Sequence, residues 1–199
     1  MLAAMNAKKS TAVSKGPGRP SSRDVILDAA EAVVVDGGAP ALTLDSAARR
    51  AGVSKGGVLY HFPTKDALLR GMVERLIGRT EAVHQAIMAS QPEGPNRSLK
   101  AYVKNSVSDP AQIDAVSGSL LAAVANDTSL LDPVREFFLR RLPQITADLS
   151  FERAAVIHAA TEGLWLMEVL KISPFNAAQR KKLVAELLRT AGELESGAN

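Results

Sequence analysis

The stretch LTLDSAARRAGVSKGGVLYHFPTKDALL, residues 42–69, decides how the first third of this chain folds. Thr43 stands where a side-chain oxygen can cap a helix with Leu44, Ala47, Ala48 and Ala51 on one face, and Gly52 stops that helix after barely two turns. Val53 follows. Ser54 then caps another short helix, Lys55 to about Phe62, which Pro63 ends, and Thr64 opens a long one through Leu68, Leu69, Met72, Val73, Leu76 and Ile77 to about Ala89. Helix, tight turn at a glycine, helix is the helix-turn-helix pattern. Ala47 and Ala48 allow a close, steep crossing, Gly52 gives a turn position without a β-carbon, Val53 plugs the angle, and Val58 faces inward.

Upstream, Ser22 is expected to cap a first helix whose apolar residues Ile26, Ala29, Ala30, Val33 and Val34 recur at helical spacing as far as Gly37-Gly38. Three helices make a head at residues 21–70, with the helix-turn-helix at about 43–62. The outward face of the third helix carries Lys55, Gly56 and Tyr60. Such a helix enters a DNA major groove with its first residues on base edges, while the Thr43 and Ser54 hydroxyls, helix N-terminal N–H groups and Lys65 meet phosphates. Charge agrees. Net charge is +3, but residues 1–70 hold ten basic against six acidic residues, and the rest is close to neutral.

Residues 71–199 read as further helices between breakers, so the fold class is all-α. Gln91 to Pro95 is a loop; Asn96 caps a helix to about Ser106; Asp109-Pro110 opens one to about Asn126; Asp132-Pro133 starts another in which Pro143 predicts a kink or break. Ser150 caps a helix through Met167, and Asn176 caps the last, through Ala191.

Composition narrows the function. No run approaches the ~18 apolar residues of a membrane span, and the lysine-bearing N-terminus has no apolar core behind it, so membrane and secreted classes are disfavoured. Cysteine is absent, which excludes disulfide scaffolds, thiol nucleophiles and thiolate zinc sites, and suits a reducing cytoplasm. Glu81 and His84 form a Glu-x-x-His pair, as in di-iron bundles, but no second copy accompanies it, so it reads as solvent- or dimer-facing. Neither a metal site nor a cofactor is expected. An enzyme built on the histidines and a protein-interaction bundle without DNA binding are the alternatives.

Residues 42–69 resemble the TetR family of bacterial one-component transcriptional regulators, above all in Ser54-Lys55-Gly56-Gly57-Val58-Leu59-Tyr60-His61-Phe62-Pro63 followed by Lys65. The resemblance is strong over residues 21–70 and weaker in the body. It implies a homodimer, with the last two helices of each protomer pairing, and a double-stranded DNA operator released when the body binds a small-molecule effector. By position, Thr43 contacts a phosphate, Lys55, Gly56 and Gly57 face bases, and Tyr60, His61 and Lys65 lie along the backbone. Leu59 stands where many members carry an aromatic, and a one-residue shift on a helix is a rotation of about 100°, so Tyr60 does not simply inherit that contact.

In the body, His158 and Glu162 share a helix face and, with Trp165, Tyr102 and Phe138, are candidates to line an effector pocket. Gly163 to Lys171 is apolar nearly all round and suits a helix packed on its own core and on a partner. Trp165, Leu166, Leu183, Leu187 and Leu188 are the candidate dimer surface.

Residues 1–20 close on a Gly/Pro run and read as a flexible basic arm whose Pro17-Gly18-Arg19-Pro20 resembles the core of an AT-hook, with Arg19 extended in a narrow minor groove. Deleting residues 1–20 removes Lys8, Lys9, Lys15 and Arg19. Duplex affinity should then fall most for sites with AT-rich flanks, and the slope of log affinity against log salt should shrink by about 2 to 4. Unchanged binding across salt would make the segment a bystander.

Overall fold

The computed structural model describes residues 21–107, 115–124 and 128–193; the arm, Arg19 included, and the Asp109-Pro110 helix start lie outside them. The elements are α1 (Ser22–Ala41), α2 (Leu44–Ala51), α3 (Lys55–His61), α4 (Lys65–Ser90), α5 (Arg97–Val107), α6 (Ala115–Val124), a 3-10 turn (Thr128–Leu131), α7 (Asp132–Ile145), α8 (Phe151–Val169) and α9 (Ala177–Gly192). The described residues are all-α, with no strand among them.

Local chemistry sets most boundaries. Thr43, Ser54, Thr64 and Asn176 each accept a hydrogen bond from the backbone N–H three residues on. At α2 and α9 the third residue answers, as Ser46 and Gln179 accept from the cap N–H. Gly52 holds φ 67°, ψ 29°, the left-handed conformation that turns α2 into α3.

Four expectations about helix ends and breaks need correction. Ser21, not Ser22, caps α1, accepting from the Asp24 N–H at 3.1 Å. That helix does not end at Gly37-Gly38. Gly38 (φ 74°, ψ 173°) kinks it and one more turn, containing Pro40, follows. Pro143 does not break α7: it forfeits only its own N–H bond to the carbonyl four residues back, two residues before the helix ends, and the Thr146 N–H still reaches the Leu142 carbonyl. Asn96 does not cap α5 through its side chain: it takes φ 57°, and its N–H donates to Asp148 at 2.7 Å.

Two apolar clusters form. One joins Ile26, Leu27, Val34, Ala47, Ala48, Val58 and Phe62 to Leu68, Leu69, Met72 and Val73 of α4, and extends to Val116 and Leu120 of α6 and Leu130 beyond it. The other packs α5, α8 and α9 through Leu99, Tyr102, Val103, Ile157, Leu164, Val184 and Ala191. Between them runs α4. Gly71 allows the head to close on it, since a β-carbon there would sit 2.7 Å from the Phe62 ring.

His84, one turn after Glu81, is not solvent-facing. It is fully buried, and neither ring nitrogen meets a hydrogen-bond partner among the described residues. Burial, reinforced by Arg141, pushes its pKa down to about 4. Between that value and its ordinary 6.5, the unfolded chain binds a proton that the folded one refuses, so this residue costs stability as pH falls through that window. His84→Leu removes two buried nitrogens and the titration together. It should raise Tm at pH 7.5 by about 2–4 °C for each kcal/mol gained, and by more at pH 5; an equal or smaller gain at pH 5, read by calorimetry, would contradict this account.

Candidate nucleic-acid interface

The seven-residue α3 lies on the head's outer surface. Val58 and Phe62 point into the core, which forces Lys55, Gly56, Leu59 and Tyr60 to the opposite side, where all are exposed; Tyr60 is 84% exposed. Gly57 and His61 lie at the edge, and the His61 ring meets Tyr60 edge-on at 5.0 Å. Gly56 and Gly57 let the helix approach a groove floor closely, with the phenol of the protruding Tyr60 pointing out where it can reach a backbone or a base.

The phosphate candidates are more constrained than spacing suggested. The Thr43 hydroxyl accepts from the Ser46 N–H at 2.9 Å and lies 3.1 Å from the Ser46 hydroxyl. The Ser54 hydroxyl accepts from the Gly57 N–H at 3.1 Å, so its own proton is what it can offer outward. Lys65 extends its ammonium toward the Ala39 carbonyl at 3.4 Å, beside the α1 kink.

Two residues of this surface were not among the candidates taken from the sequence. Leu59 shares the exposed face with Lys55 and Tyr60, where its side chain suits contact with a thymine methyl. Asp45, in the first turn of α2, takes the Lys55 ammonium at 3.0 Å. The pair is exposed and of a kind worth less than about 1 kcal/mol, so Lys55 can leave it for a base while Asp45 limits where the ammonium rests. Only the partner's position in space, ten residues away in sequence, could have revealed it.

The body candidates come together in part. Tyr102 donates to Glu162; the His158 ring meets Tyr102 in a tilted contact at 5.3 Å and Phe138 edge-on at 5.4 Å. Burial raises the pKa of Glu162, the Tyr102 hydrogen bond opposing it, and burial lowers that of His158. Trp165 packs against the second apolar cluster. Beside these residues an open groove of about 620 Å³ separates α4 from α7. From α4 it is lined by Arg70, Glu74, Ile77, Gly78 and Glu81, and from α7 by Pro133, Glu136, Phe137, Arg140, Arg141 and Gln144, one face of each helix. Of the proposed dimer residues, Leu166 and Leu183 are exposed, whereas Trp165, Leu187 and Leu188 lean on the protomer's own core.

A capped helix-turn-helix with an exposed second helix, carried on an all-α body, defines a DNA-binding transcriptional regulator. The comparisons agree and narrow it. Residues 26–72 match the profile described as bacterial regulatory proteins, tetR family, and residues 96–192 match that of the Tetracyclin repressor-like C-terminal domain. The HTH-type transcriptional regulator BetI of Serratia proteamaculans is 30% identical over 85% of this chain and 92% of its own length. BetI of Pectobacterium atrosepticum is 27% identical over 81% and 89%. Two solved structures share the fold: a transcriptional regulator from Rhodococcus sp. Rha1 (TM-score 0.65, 23% identity, 86% of this chain and 95% of that one) and a TetR family member from Streptomyces coelicolor A3 (0.63, 23%, 86% and 98%). The chain belongs to the TetR family of transcriptional regulators, which are not enzymes.

Asp45→Asn frees the Lys55 ammonium and removes a carboxylate that repels phosphate. Affinity for arbitrary duplex DNA should rise several-fold while the ratio of specific to nonspecific affinity falls, measured by fluorescence anisotropy on paired duplexes. A ratio that stays constant or rises would remove Asp45 from recognition.

Proposed function

We propose that this protein is a homodimeric cytoplasmic repressor that inserts α3 into the major groove of an operator and leaves it when a small molecule binds the body. The observation that carries the reading is the exposed α3 face of Lys55, Gly56, Leu59 and Tyr60, held at a fixed angle by the left-handed Gly52 turn and a core of Ala47, Ala48 and Val58. In this reading Lys55, Tyr60 and close approach at Gly56 and Gly57 read bases. Thr43, Ser54, His61 and Lys65 line the backbone. With two glycines in the reading helix, DNA shape carries part of the specificity.

The second copy is expected on α8 and its continuation. Val156, Ala159, Ala160, Leu166 and Leu170 form an exposed apolar stripe along one side of that helix, interrupted by Gly163, where a β-carbon would meet no described atom within 4 Å. Ile172, Phe175 and Leu183 extend the apolar surface. Exposed apolar area of this kind, recurring at helical spacing, suits a self-complementary helix pair.

Selection of bound duplexes from genomic fragments should recover inverted repeats, with log affinity falling linearly with log salt. Binding without sequence preference, or none at all, would overturn the reading. Leu166→Glu places a carboxylate in the apolar stripe, and sedimentation should show a folded monomer replacing the wild-type dimer, with operator affinity reduced at least about 100-fold through loss of the second half-site. A persistent dimer would move the interface elsewhere.

A further inference from the structure

The groove between α4 and α7 has a floor unlike its rim. Arg141 is the buried charge, with its side chain 2% exposed, whereas its carboxylate partner Glu81 is 42% exposed. The guanidinium lies over the Phe137 ring at 5.2 Å and reaches Gln144 at the limit of hydrogen-bond length, 3.5 Å. A buried guanidinium needs an anion, but it does not need this one: Glu81 meets it through a single nitrogen, Nη2, and can swing into water, and another carboxylate can take its place in the planar, two-pronged geometry that a guanidinium favours. The reverse exchange is unfavourable, because a cation entering the groove would compete with a guanidinium that cannot leave.

Gly78 marks where the rest of such a ligand lies. It sits in the middle of α4, where glycine is a poor helix former, and it faces the groove between Ile77 and Glu81. A β-carbon there would meet no described atom within 4 Å. The missing side chain therefore leaves room in the groove rather than relieving a clash, and Ile77, Pro133 and Phe137 give that room apolar walls.

We propose that this groove binds a small organic carboxylate, its carboxylate taken by Arg141 in place of Glu81 and its apolar body lying over Gly78 against Ile77 and Phe137. Binding itself stands on the groove; its consequence for the operator rests on the effector reading above.

The test is calorimetric titration of the full chain, without DNA, with three probes that share a ring and differ in head group: phenylacetate, 2-phenylethylamine and 2-phenylethanol. Phenylacetate should bind at least about tenfold more tightly than the other two. Glu81→Gln, which removes the internal competitor, should tighten phenylacetate binding by about tenfold, an effect opposite in sign to that of a lost structural ion pair. Gly78→Leu should abolish binding while leaving Tm unchanged or higher, since leucine is the better helix former. No phenylacetate binding up to about 10 mM, amine binding as tight as the carboxylate's, weaker binding in Glu81→Gln, or full binding in Gly78→Leu would each overturn the proposal. Operator affinity is measured separately on the same proteins. Carboxylate binding that leaves it unchanged would refute the effector reading and not the site, and failure of the titration would leave operator recognition untouched.

Discussion

The guanidinium of Arg75 fixes the head to the rest of the molecule. From α4 it reaches across to α1, where its Nε and Nη2 donate to both oxygens of Glu31 at 2.9 and 2.8 Å, Nη2 also donates to Asp28, and Nη1 donates to the Asp24 carbonyl at 3.1 Å. Arg75 and Glu31 are only 13% and 12% exposed. A pair this sequestered is not a cheap source of stability, but removing one partner strands the other at about 3–5 kcal/mol. It therefore specifies one relation of α1 to α4. Arg79 adds a second donor to Glu31 at 3.0 Å, and Arg23 reaches back from α1 to Glu74 while lying over the Phe62 ring at 5.3 Å.

Because α4 is one unbroken helix from Lys65 to Ser90, whatever orients it orients α3. Its first turns belong to the head's core through Leu68, Leu69 and Met72, and its later turns carry Glu81 and His84 in the body. The face that lines the groove, Arg70 to Glu81, brackets the Arg75 latch. Arg70 also ties this stretch to the 3-10 turn by donating to the Ser129 carbonyl at 3.3 Å, and α6 packs Val116 and Leu120 into the head's own cluster. The head thus touches the body along two elements, so a small displacement of α4 against α7 has a rigid path to the reading helix. Packed interfaces respond to such displacements by shifting between discrete arrangements rather than by bending.

What the sequence disclosed was what short-range chemistry decides. Thr43, Ser54, Thr64, Asn176 and Gly52 act within three or four residues of themselves, so a reader of the chain can place them. The α3 face followed from helical periodicity once Val58 was assigned inward. The pairs that organise the site are of another kind: Glu31 with Arg75, Glu81 with Arg141 and Tyr102 with Glu162 are separated by 44, 60 and 60 residues. No spacing rule connects them. His84 misled for the same reason, since its neighbour Glu81 invites pairing along the helix, while the fold supplies a stronger partner for Glu81 from α7. The Tyr102, Phe138, His158 and Glu162 group was legible as a set of unusual residues, but not as one interlocked cluster with the open space on the far side of Phe137.

The reading helix itself shows what a second copy would add. Seven residues, two of them glycine, leave Lys55, Leu59 and Tyr60 as the side chains able to reach base edges, and one good base contact discriminates by about 1–3 kcal/mol. One head therefore binds little better than a generic cation on a polyanion, at about 10⁻⁴ to 10⁻⁶ M for nonspecific association. Joining two heads on a single scaffold makes the second insertion intramolecular, so affinity multiplies without new contacts, provided that both α3 helices meet the groove in register. Under the proposed dimer, that register becomes the sensitive quantity. A ligand need not unfold or cover a head to release it: shifting α4 enough to spoil the spacing between two otherwise intact heads removes the multiplied share of the affinity and leaves the weak single-head share behind.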